Sequence, residues 1–155
     1  MNTSQESNIG ALVKLEEDTW PVGTRAKKEA FENRIKLFPE GVIGVRNDDV
    51  LMGLTTSCII YDKDITTDST WEKLTDYGMI YTHNKDGNVL YVVSLGVSPY
   101  HQKKGVGKTL IKAQQDLAKK LNLEKVVLGS RVPEFHKFDG TIKEYFNKKQ
   151  KKVIL

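Results

Sequence analysis

The sequence contains one cysteine, Cys58. A lone cysteine excludes an internal disulfide and suits a reducing compartment, so a cytoplasmic location is expected. At 155 residues the chain is long enough to bury a core without disulfide or metal staples, and no metal site is expected. No apolar run approaches the length of a membrane span, and the opening MNTSQESNIG is polar and without a secretory apolar stretch. Repeats and low-complexity linkers are also lacking, which points to a single domain over residues 1–155.

Apolar residues make up 39% and charged residues 28% of the chain, ordinary proportions for a soluble globular protein. The formal charge of +4 is mild and gathers at Lys103-Lys104 with Lys108, at Lys119-Lys120, and at Lys148-Lys149 with Lys151-Lys152. The last two clusters read as solvated helix faces and a chain end. No basic face is interleaved with aromatics, so nucleic acid is not an expected partner.

Ser7-Asn8 reads as the cap of a first helix through Ala11, Leu12 and Leu15, with Glu16, Glu17 and Asp18 on its wet side. Trp20-Pro21-Val22-Gly23 breaks it, and a second helix is expected from Thr24, with Phe31, Ile35 and Phe38 in helical period. Val42–Val45 and Val50–Leu54 form a hairpin signal around Arg46-Asn47-Asp48-Asp49, the second strand continuing through Cys58, Ile59 and Ile60. Between Asp62 and Asn88 the pattern gives a short helix around Trp71–Leu74 and a polar loop at His83–Asn88. A connection this long in a compact domain is often functional.

Val89–Val97 is the strongest strand, apolar enough to be buried on both faces. Gly105–Leu121 is an amphipathic helix whose expected buried stripe is Val106, Leu110, Ala113, Leu117 and Leu121. Lys125–Gly129 reads as a further strand, and Thr141 to about Gln150 as a last helix after Asp139-Gly140.

The chemistry-bearing segment is Val97–Thr109, between the buried strand and the amphipathic helix. The first turn of a helix offers unpaired N–H groups and a positive dipole end. Gly105 and Gly107 remove the Cβ atoms that would hold a diphosphate away from the backbone, and Lys103, Lys104 and Lys108 add positive charge. Gly107-Lys108-Thr109 imitates the end of a nucleotide-binding P-loop, but the first glycine of that motif would fall on Gln102.

Val97, Pro99, Gln102, Gly105 and Gly107 instead match without a gap a signature of valine, proline two on, and [QR]-x-x-G-x-[GA] opening a helix. The segment resembles the GNAT N-acetyltransferase superfamily, and the order of helices and strands over most of the chain is similar to that family. Gly129-Ser130-Arg131-Val132-Pro133, followed by an aromatic-rich stretch, looks like a GNAT subgroup. The resemblance implies an α/β (α+β) fold with a mixed, mainly antiparallel central sheet flanked by helices. It implies transfer of an acetyl or other acyl group from acetyl-CoA, as co-substrate, to an amine acceptor. The implied cofactor-binding residues are the backbone of Gln102, Lys103, Lys104, Gly105, Val106 and Gly107 for the diphosphate, with Lys108 and Thr109 nearby. Leu95, Gly96 and Val97 would pair with the pantetheine arm.

The sequence departs from the family pattern in places. Val92-Val93-Ser94-Leu95 holds no carboxylate where many members carry a base, and Ser94 is not a strong base. For the catalytic acid the candidates are Tyr145 and His136, but Tyr145 reads first as a packed core-edge aromatic and His136 as a surface histidine. The family's usual C-terminal β-hairpin is expected to be lacking, and the apolar ending Val153-Ile154-Leu155 is expected to be an edge strand or a homodimer contact. The alternative to an active enzyme is a non-catalytic acyl-CoA-binding or sensing module that keeps only the cradle.

Overall fold

The computed structural model of the chain describes residues 9–48 and 50–128. The expectations for Ser7-Asn8, Gly129–Pro133, His136, the helix from Thr141, Tyr145 and Val153–Leu155 lie outside those residues. Four strands form one sheet in the order β1 (Ile43–Asn47), β2 (Val50–Ile60), β3 (Val89–Val97) and β4 (Lys125–Leu128). The β1–β2 and β2–β3 pairs are antiparallel and β3–β4 is parallel, which is the mixed sheet the sequence leads one to expect.

Helix α1 (Ile9–Thr19) buries Leu12 and Leu15, and also Glu16, which shares their stripe. Glu16 is therefore not on the wet side: it is 8% exposed and its Oε2 accepts a 2.7 Å bond from the Ala26 N–H. Helix α2 (Lys28–Leu37) starts later than Thr24. Both the N–H and Oγ1 of Thr24 donate to the Pro21 carbonyl, at 3.1 and 2.9 Å, so this stretch is spent on a turn. Phe38 is buried but non-helical, as expected for a residue that precedes proline. The hairpin turn is tighter than its composition implies: Asn47 already pairs with Val50, and Asp48 takes a left-handed φ of 54°.

Helix α3 (Trp71–Thr75) is short, and helix α4 (Val106–Lys120) packs across all four strands. The buried row of α4 is Val106, Leu110, Gln114 and Ala118, whereas Ala113, Leu117 and Leu121 are only partly covered. The stripe is rotated from expectation because Gln114 has partners waiting on the sheet side. Its Nε2 donates to the Gly41 carbonyl at 3.1 Å and Thr55 Oγ1 at 3.3 Å, and its Oε1 accepts from Ser57 Oγ at 2.9 Å. A fully satisfied buried amide is tolerated where a lone one is not.

Helices α1 and α2 cover the opposite face, where Leu12, Leu15, Phe31 and Ile35 pack with Val42 and Leu54. The approach there is close: a Cβ added to Gly96 would meet Thr19 Cγ2 at 2.9 Å. β3 is thus covered on both sides, and Val89 through Gly96 are buried.

Candidate functional site

β3 leaves the sheet at Ser98, which is 4% exposed and whose N–H donates to the Met52 carbonyl at 2.8 Å. Ser98 Oγ accepts from the Tyr100 N–H at 3.3 Å, and its carbonyl accepts from His101 at 2.9 Å. These bonds set a single turn of 3-10 helix over Pro99–His101. The chain then reverses through left-handed φ values of 64° at Lys103 and 79° at Gly105.

Gly105 is the N-cap of α4, and the first helical bond runs from the Thr109 N–H to the Gly105 carbonyl at 3.0 Å. The amides of Val106, Gly107 and Lys108 therefore have no acceptor within the helix, and a glycine cap supplies no side chain to satisfy them. Among the described residues, the two glycines beside them have room for a side chain. A Cβ on Gly105 would touch nothing within 4 Å, and one on Gly107 would meet only Val97 Cγ2 at 3.9 Å. Gln102, Lys103, Lys104 and Lys108 are exposed around this opening. Thr109 Oγ1 is committed to the Gly105 carbonyl at 3.0 Å. The geometry is a cradle for an anion, with the partial positive charge of a fifteen-residue helix behind it.

A second feature lies along β3. Thr56 pairs with Ser94 and Ser57 with Val92, so Val93 is an extra residue, a bulge. The Val93 carbonyl accepts a 2.8 Å bond from Trp71 Nε1. At this level the described β3–β4 pairs end, with Val92 opposite Leu128. Leu95, Gly96 and Val97 pair with Thr55, Leu54 and Gly53 on the β2 side. Their other edge carries no ladder bond among the described residues.

On the α1–α2 face, a cavity of about 430 Å³ opens beside the bulge. Glu16 and Trp20, Arg34 on α2, Trp71 and Glu72 on α3, Tyr77 and Ser94 line it. The Asp62–Asn88 connection thus contributes a wall. Asp76 and His83 are not among the lining residues. His83 Nδ1 accepts from the Ile59 N–H at 3.0 Å while its ring stacks on Phe38 at 4.5 Å, and burial pulls its pKa below the ordinary histidine value. It is a packing residue. Cys58 is also remote from chemistry, because full burial pushes its thiol up to about 12.

Arg34 and Thr56 have no place in the sequence-based site, yet both are buried on the cavity side. Their signal was present. Arg34 falls three residues after Phe31 and one before Ile35, on the apolar row of its helix, and Thr55-Thr56-Ser57 interrupts a strand that is otherwise hydrophobic.

The model of the acetyltransferase (GNAT) family matches residues 9–138 of the chain. The chain is 32% identical over 137 residues to the uncharacterized N-acetyltransferase YkwB of Bacillus subtilis, covering 86% of this chain and 61% of that protein. It is 31% identical over 143 residues to the probable hydrolase YhcX of the same organism, covering 91% of this chain and 28% of that protein. The chain therefore spans less than two thirds of either relative. Among solved structures it is similar to the loading GNATL domain of CurA from Lyngbya majuscula, with a TM-score of 0.70 at 19% identity over 87% of this chain and 66% of that one. The GphF GNAT-like decarboxylase in complex with isobutyryl-CoA gives 0.68 at 21% identity, over 93% and 73%. These two likenesses concern the fold.

Proposed function

The chain belongs to the acetyltransferase (GNAT) family, and on that premise we propose that it transfers an acetyl or other acyl group from acetyl-CoA to an amine. One observation carries the reading: the open, uncapped first turn of α4 stands at the end of the bulged strand β3, with Val97, Pro99, Gln102, Gly105 and Gly107 at the signature positions of the loop. The diphosphate of the thioester is held by the amides of Val106, Gly107 and Lys108, helped by the Gln102–Lys104 backbone. The exposed lysines add only screened charge.

The pantetheine arm then adds to the edge of Leu95, Gly96 and Val97 that carries no ladder bond among the described residues, as an extended peptide adds to a sheet. The acyl group arrives at the bulge, beside the cavity of about 430 Å³, which takes the acceptor. A neutral amine attacks the carbonyl carbon, the N–C bond forms and the C–S bond breaks. The proton lost by nitrogen ends on the departing sulfur by way of solvent. Holding the two reactants at the bulge supplies much of the rate, and no covalent enzyme intermediate is needed.

The test is release of free thiol from acetyl-CoA against a broad panel of amines. Amine-dependent thiol release supports the proposal. Tight acetyl-CoA binding without turnover against any amine would replace it with an acyl-CoA-binding module.

A second reading is loss of CO₂ from a carboxyacyl thioester. It is favoured by the hydroxyl of Ser94 on β3, where an amine base would be a carboxylate. It shares a fold with the GphF decarboxylase. Malonyl-CoA converted to acetyl-CoA with no amine present would select it.

A further inference from the structure

Three polar side chains on the cavity side of the sheet form a chain whose proton directions follow by elimination. Arg34 is 1% exposed, and a guanidinium only donates. Its Nε donates to the Gly78 carbonyl at 2.8 Å and its Nη1 to Thr56 Oγ1 at 3.3 Å. Thr56 is fully buried, and its Oγ1 lies 2.9 Å from Ser94 Oγ. If Thr56 accepted from both neighbours, its own proton would be buried with no acceptor among the described residues, at the full desolvation penalty of a hydroxyl. Thr56 therefore accepts from Arg34 and donates to Ser94. Ser94 has accepted one bond, and its own proton is left to point into the cavity it lines.

We propose that Ser94 donates this proton to the carbonyl oxygen of the bound thioester, with Arg34 and Thr56 as the positioning residues that aim it. This rests on the acyltransferase reading above. Ser94 immediately follows the bulged Val93. Val97 lies three steps further along β3, about 10 Å at the usual strand rise. A thioester whose diphosphate sits on α4 and whose arm follows β3 brings its carbonyl to the level of Ser94. Negative charge grows on that oxygen as the amine attacks, so a donor aimed in advance stabilises the transition state more than the ground state. Ser94 keeps its proton throughout and forms no bond to the acyl carbon.

The experiment uses two probes, acetyl-CoA and coenzyme A, titrated calorimetrically into the wild-type chain and into Ser94→Ala, Thr56→Val and Thr56→Ser. Coenzyme A has the same diphosphate and arm but no thioester carbonyl. Ser94→Ala is expected to weaken acetyl-CoA about fivefold and leave coenzyme A unchanged. Thr56→Val should move the ratio the same way and Thr56→Ser should restore it, which a merely structural role would not produce. Thermal melts identify a variant that has lost its fold, and if Thr56→Val fails to fold, the ratio for Ser94→Ala decides alone. Equal weakening of both probes, or no change in either, overturns the relay. If the wild type binds neither probe, the acyltransferase reading itself fails.

Discussion

Replacing Gly107 separates the backbone-amide account of the cradle from a lysine-charge account. A methyl at this position meets only Val97 Cγ2 at 3.9 Å, so the fold has room for it. Alanine in a helix is also favoured over glycine by roughly 0.5–1 kcal/mol, so Gly107→Ala should melt at or above the wild-type temperature. The same methyl stands in the opening that the diphosphate must approach. Each hydrogen bond to a charged group contributes about 1.5–3 kcal/mol, so losing one weakens coenzyme A by roughly 10- to 150-fold. Gly107→Val should be worse than Gly107→Ala. Lys103→Ala and Lys104→Ala, at exposed positions, should each cost less than about fivefold. Gly105 is a poorer probe, because its φ of 79° makes any Cβ strained, and Gly105→Ala should lose about 1 kcal/mol of stability irrespective of ligand. Calorimetric titration with coenzyme A, paired with thermal melts by circular dichroism, reads both quantities. A Gly107→Val chain that is folded and binds like wild type, or a single lysine variant that binds worse than it, would refute the reasoning.

Three further outcomes are expected. Because neither β3 nor His83 offers a tuned base, the acidic limb of the pH–rate profile should move with the pKa of the acceptor amine. A limb fixed across amines and abolished by Glu72→Gln would identify a base in the cavity wall. The Cys58 thiol, buried and pushed up to about 12, should resist a thiol reagent at pH 8 in the native chain and react once on denaturation, as absorbance assays would record. Gln114→Ala strips partners from Ser57 Oγ, Thr55 Oγ1 and the Gly41 carbonyl and leaves a void, and should destabilise by about 3 kcal/mol in a denaturant titration.

Features carried by local pattern were legible from the residues. The Val89–Val97 run names a strand buried on both faces, and the Val97–Gly107 spacing names the loop and the helix behind it. Periodicity failed where a polar letter occupies a buried position. Glu16, Arg34 and Gln114 each lie on the inward row of a helix and are paid for by bonds to groups distant in sequence, such as Gly78 for Arg34 and Gly41 for Gln114. A count of apolar letters cannot contain those partners. The bulge at Val93 and the cavity beside it were unreadable for a related reason, since both arise from the register of β2 against β3 and from the meeting of α1, α2 and α3. Thr24 misled in the other direction: it is a good helix-capping residue, but its hydroxyl and amide both serve the Pro21 turn.

The central claim is that a coenzyme A thioester is held by backbone amides at the start of α4. Amide chemical-shift mapping by nitrogen–proton NMR, with coenzyme A titrated into the labelled chain, tests it directly. The account predicts that the largest shifts fall on Gln102–Lys108 and continue along Leu95–Val97, that adenosine diphosphate reproduces only the first group, and that magnesium changes neither. Shifts confined to other surfaces, or a response to magnesium and ATP with none to coenzyme A, would contradict it.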